Sequence, residues 1–245
     1  MRFIVLAALP LAACSFGANG HDSKPGVTGT GSGTARTFAV SDFTGVTLRG
    51  SDDVDVRVGT GFSIRAEGPS EELDKLKIER DGDELKIGRI DKNGMGWIGG
   101  DNSKGKVTVY VTMPRVAKAN IAGSGNMTID RVEGQDFDAN TAGSGDLSIA
   151  ALSVEKGTFD IAGSGGMKLA GSVRALEVSI AGSGDVDAAG VKSDGADVSI
   201  AGSGSVKANV TGAAKVSIVG SGDADLGKGA KCSVSKIGSG DATCG

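Results

Sequence analysis

Small polar residues recur at one spacing through the second half of the chain. Ser124, Ser144, Ser164, Ser183, Ser203, Ser221 and Ser239 each sit inside a Gly-Ser-Gly triplet. Two residues beyond each serine stand Asn126, Asp146, Gly166, Asp185, Ser205, Asp223 and Asp241. Carboxylates stacked in register could hold a divalent cation, because hard cations gather several oxygen ligands. The plainer use of Ser and Asp in a repeated turn is to satisfy backbone groups. The interruptions at Gly166 and Ser205 favour that use, and no metal site is expected.

Other chemistry is thinly supplied. His21 is the sole histidine and lies near the start, so the rest of the chain has no Ser-His or Cys-His nucleophile and no imidazole ligand. Neither zinc-type cysteine spacing nor a phosphate-binding loop occurs, and the Gly-Ser-Gly triplets lack the third glycine of a dinucleotide fingerprint. The sequence therefore predicts no catalytic residues and no cofactor. With 26 basic and 30 acidic residues the net charge is −4, which disfavours a nucleic-acid partner. Asp52, Asp53 and Asp55 form an acidic group, but the strand pattern places such residues among solvated outer positions. A carboxylate site acting on polysaccharide is the enzymatic alternative.

The elements that carry these residues follow from the period. The triplets begin at Gly123, Gly143, Gly163, Gly182, Gly202, Gly220 and Gly238, at intervals of 20, 20, 19, 20, 18 and 18 residues. Four residues before the first glycine the column is mostly apolar (Ala119, Ala139, Phe159, Val178, Val198, Val216, Val234), as it is two before (Ile121, Thr141, Ile161, Ile180, Ile200, Ile218, Lys236). Between them stand Asn, Asp or Ser. After the bend, apolar residues return at four (Met127, Leu147, Met167, Val186, Val206, Ala224, Ala242) and at six (Ile129, Ile149, Leu169, Ala188, Ala208, Leu226, Cys244). Alternation of this kind is a strand with one buried face.

Each unit thus reads as strand, bend, strand and a looser turn, too short for a strand-helix-strand crossover. Stacking like positions about 4.8 Å apart gives an all-β, single-domain parallel β-helix with rungs of about 19 residues. Parallel crossovers favour a right-handed coil. An antiparallel meander is the alternative. Absence of proline after Pro114 suits central ladder strands.

The template also fits near the start, where Val46 and Leu48 precede Gly50-Ser51-Asp52-Asp53 and Val54 and Val56 follow, reading as the first rung. Strands are expected at 62–66, 76–79, 84–87 and 107–111, with a turn at Asp81-Gly82 and a helical turn over 70–75. The glycine-rich loop 94–105 carries the sole tryptophan. Trp97 and Ile98 either pack over the coil or contact a ligand.

Residues 1–13 have the layout of a secretory signal and are too short to span a membrane. Leu11-Ala12-Ala13-Cys14 resembles a bacterial lipobox, which implies cleavage before Cys14 and lipid attachment to it. Ser15, where an Asp would signal inner-membrane retention, implies the outer membrane. Residues 14–36 read as a Gly/Ser-rich tether. The folded domain is then 37–245, with irregular rungs over 37–115 and regular ones over 116–245. Cys232 and Cys244 occupy inward positions six before and six after the last bend, and an exported chain can join them in a disulfide. Two buried free thiols are the alternative.

The segments Phe43-Thr44-Gly45-Val46, Gly50-Ser51-Asp52-Asp53-Val54, Val107-Thr108-Val109, Met113-Pro114 and the serial Gly-Ser-Gly-Asp/Asn units together resemble the head GIN domain family. The resemblance covers essentially 37–245. It implies an exported bacterial β-helix, often a lipoprotein, with an adhesin-type role and no assigned catalytic residues. The expectation is a non-enzymatic cell-envelope protein, held to the membrane through its N-terminal lipid and binding a glycan or another envelope or surface protein. A periplasmic structural or accessory role is the alternative.

Overall fold

The computed structural model describes residues 26–89 and 105–245. The irregular part comprises β1 (Ala35–Phe38), β2 (Gly45–Gly50), β3 (Asp53–Val58), β4 (Ser63–Glu67), the single-turn helix α1 (Ser70–Leu73), β5 (Leu76–Asp81), β6 (Glu84–Arg89) and β7 (Thr108–Met113). The regular part runs through β8 (Lys118–Gly123), β9 (Met127–Ile129), β10 (Val132–Gly143), β11 (Leu147–Gly163), β12 (Gly166–Gly182) and β13 (Asp185–Gly202). It ends in β14 (Ser205–Val210), β15 (Ala213–Gly220), β16 (Asp223–Asp225), β17 (Lys231–Gly238) and β18 (Ala242–Thr243).

The repeat forms a parallel β-solenoid. Gly143 pairs with Gly163, Gly163 with Gly182, Gly182 with Gly202, Gly202 with Gly220 and Gly220 with Gly238, all in parallel register. The apolar columns face inward: Ile121, Ile161, Ile180, Ile200 and Ile218 are all buried, as are Met127, Leu147, Met167, Val186 and Val206. They join one continuous core. Phe137 and Phe159 pack at a tilt inside it, ring centroids 6.0 Å apart.

Unequal rung lengths are reconciled chiefly at one corner. The strands β11, β12 and β13 continue past the expected looser turn, and the register shifts there, between Ile149 and Leu152, Lys168 and Ala170, and Ala188 and Lys192. One to three residues gained or lost at that corner leave every column on its proper face. This differs from the expected break between strands, because a bulge absorbs the extra residue without ending the ladder.

The N-terminal part departs from chain order. Strand β2 pairs in parallel with β8, Gly50 opposite Gly123, and β3 with β9, Val54 opposite Met127, so this segment is a rung of the coil. It is not the terminal one, however. Strands β6 and β7 pair in parallel with the other edges of β2 and β3 and form a rung beneath. Below that the pairing turns antiparallel: β5 lies on β6, β4 on β7, and β1 on β4. Contacts reach back ahead of Thr37, since the Val27 N–H donates to the Ile78 carbonyl at 2.7 Å.

Candidate functional site

The bends are built by hydrogen bonds between rungs. In all seven triplets the serine N–H donates to the carbonyl of the first glycine one rung below, at 2.9–3.0 Å. The first glycines of these triplets have φ between 123° and 137°, which side chains rarely adopt. At Gly182 and Gly184 a Cβ would also come closer than 3.0 Å to a carbonyl oxygen of the rung below. Glycine is therefore required twice per bend for stacking.

The polar column beyond the bend is consumed by the same task. Asp53 accepts from the N–H of Asn126 at 3.1 Å, Asn126 from Asp146 at 3.2 Å, and Asp146 from Gly166 at 2.8 Å. Asp185 accepts from Ser205 at 2.9 Å and Asp223 from Asp241 at 2.8 Å. One oxygen of each of these five side chains binds the next rung's backbone, as in the plainer reading of this column.

A second polar column lies on the outer face of the strands that precede the bends. Thr47 donates to Glu84 at 2.9 Å, Asn120 to Thr47 at 3.2 Å, and Asn140 to Asn120 at 3.0 Å. Asp160 stands next in register, followed by Ser179, Ser199, Ser217 and Ser235. Burial pushes the Asp160 carboxyl above its ordinary range, and the nearby negative charges of Glu177 and Asp138 add to this. Beside this column runs an apolar one: Ala122, Ala142, Ala162, Ala181 and Ala201, ending in the exposed Val219 and Ile237. Ion pairs border the face, Lys156–Glu177 at 2.8 Å and Lys215–Asp197 at 3.9 Å, beside a shallow groove that Leu176 and Ala196 help line. The arrangement offers amide, hydroxyl and methyl groups in straight rows at the rung pitch of about 4.8 Å. Such rows suit contact with an extended partner.

One charged cluster escapes the sequence pattern. Asp52 was expected on a solvated outer position, yet it is 1% exposed. Arg89 donates to it through Nε at 2.7 Å and through Nη2, and through Nη1 to the fully buried Glu72. The Val107 N–H also donates to Asp52, at 3.0 Å, and Lys75 to Glu72, at 3.0 Å. The hydrogen bond to Asp52 chiefly holds the Arg89 guanidinium above its ordinary pKa. The reason lies in the rung beneath. Asp52 occupies the place of the second glycine of a triplet, where a side chain normally meets a backbone carbonyl. In the rung of β6 and β7, Ile87 aligns with Leu48 and Thr108 with Asp53, so a long connection replaces the tight bend. The departure from glycine at position 52 was the available signal.

Of the residues singled out in the sequence, Cys232 and Cys244 are joined by a disulfide, Cα atoms 6.1 Å apart, and pack against the core. Cys14, Trp97 and Ile98 lie outside the described residues.

The family model described as "Putative auto-transporter adhesin, head GIN domain" matches residues 42–229. The chain belongs to the head GIN domain family. Solved structures with the same fold include a putative adhesin from Bacteroides fragilis, 19% identical, with a TM-score of 0.77 over 86% of this chain and 95% of that one. A putative adhesin from Parabacteroides merdae is 20% identical, with a TM-score of 0.67 over 91% of this chain and 100% of that one. A putative lipid binding protein from Parabacteroides distasonis is 22% identical, with a TM-score of 0.65 over 89% and 98%. No curated protein matches in sequence. For this GIN-domain chain, no helix among the described residues is long and apolar enough to cross a membrane. Membership in an adhesin-type family points to the cell surface or envelope.

Proposed function

We propose that this protein is a non-enzymatic lipoprotein of the bacterial outer membrane, anchored through Cys14, whose coil presents a binding face for a glycan or a surface protein. The observation that carries the reading is the outer face of aligned Asn/Ser and Ala columns, repeated rung after rung without a deep cavity among the described residues. A face of this kind binds by extent and repetition, whereas an enzyme concentrates its reactive groups. The charged residues nearest the groove are committed to ion pairs.

Protease treatment of intact cells tests the location. Digestion of the folded domain is expected, and a bulky charge on the face (Ala181→Arg) should then reduce attachment of cells or of the purified protein to its target. Protection until the outer membrane is opened would replace adhesion with a periplasmic accessory role. Unchanged attachment with Ala181→Arg would move the binding surface elsewhere.

A further inference from the structure

The last rung breaks the pattern at two linked positions. In the column two before the bend, Ile121, Ile161, Ile180, Ile200 and Ile218 are buried, but the final member is Lys236, whose side chain is 48% exposed. Register places Lys236 over Ile218, and no strand among the described residues covers β17 on its other edge. Val234 and Ile237 on the same strand are 45% and 72% exposed. This open, apolar edge is the kind that recruits another chain's strand.

Lys236 acts on that edge in two ways. Its Nζ donates to the Gly240 carbonyl at 3.1 Å and to the Asp241 carboxylate at 2.9 Å. Asp241 is the last member of the column whose lower acids, Asp146, Asp185 and Asp223 among them, each accept the next rung's N–H. The ion pair engages the group that would dock a further rung. The same ammonium stands over an apolar column, where a strand added from above would have to desolvate it.

We infer that the Lys236–Asp241 pair is a guard that prevents a second copy of this chain from stacking on β17. Its test is Lys236→Ile in the full chain, a residue this column already accepts in five rungs. The wild type should sediment as a species independent of concentration. The variant should associate at least about tenfold more tightly, with slowed hydrogen exchange at the amides of residues 231–238. Lys236→Arg should behave as wild type. Lys236→Thr repeats the test should the isoleucine variant fold poorly, since Thr141 occupies the same column. A folded variant that does not associate overturns the inference, and so does association that leaves the 231–238 amides unprotected.

Discussion

The foot of the coil, under β6 and β7, and its head, at β17 and β18, both expose backbone groups and an apolar column where the stack ends. At the foot the chain closes the stack by pairing β5 with β6, β4 with β7 and β1 with β4, all antiparallel, with α1 between β4 and β5. It locks the site where the bend opens with a buried cluster of Asp52, Arg89 and Glu72. At the head no strand among the described residues covers β17 on the edge away from β15. A disulfide between Cys232 and Cys244 and the Lys236–Asp241 ion pair finish the last rung, most of which stays exposed. Closure by packing ties the foot to global stability. Closure by a crosslink leaves the head able to open alone.

The sharpest break of this contrast is Asp52→Ala. It leaves Arg89 half-paired in a buried setting and should cost about 3 kcal/mol, read as a lowered urea midpoint for the whole coil. A loss no greater than that of Asp55→Ala, on the outer face, would show that the cluster does not hold the foot. Replacing Cys232 and Cys244 together by serine removes a crosslink spanning 12 residues. Chain entropy puts its worth at somewhat under 3 kcal/mol. The loss should appear as faster hydrogen exchange confined to residues 228–245, whereas exchange that rises equally at the foot would erase the distinction.

Between the ends, Thr141 carries the one buried side-chain oxygen without a partner among the described residues. Thr141→Val should raise stability by about 1 kcal/mol and raise the midpoint without favouring either end. The smallest effect is expected at Asp160. Its carboxyl is raised in the folded state, so the fold binds more protons than the unfolded chain between the two pKa values. Stability from this group is fully present below the unfolded value near 4 and is lost as pH rises through the folded value. Asp160→Asn, continuing the amide ladder from Asn140, should stabilise by a few tenths of a kcal/mol at pH 7, given its partial exposure, and flatten that part of the pH profile.

The columns were legible because alternation and a steady period are direct imprints of a strand that must bury one face on a like neighbour. Val46, Gly50 and Val54 could be assigned to a rung on that basis alone. Stack order was not legible. The residues of β6 and β7 alternate as any strand does, and nothing local in Leu85 or Val109 says that their rung lies beneath an earlier one. Asp52 was misplaced for a related reason. Its environment is decided by what the neighbouring rung omits, and its partner Arg89 lies 37 residues away in sequence. The pairing of the two cysteines was open to reading because the repeat supplied their depth and orientation.

The corner after the apolar column six residues beyond the bend is where this chain keeps its slack. An extra residue between Ala150 and Ala151 has somewhere to go, because the register already slips there from one rung to the next. The same insertion between Val178 and Gly182 would turn every later side chain of that strand inside out. Natural drift in length can therefore collect along one edge of the molecule while the rows on the outer face keep their alignment. A protein built this way can gain or shed residues, or whole rungs, without redrawing the surface that its neighbours meet.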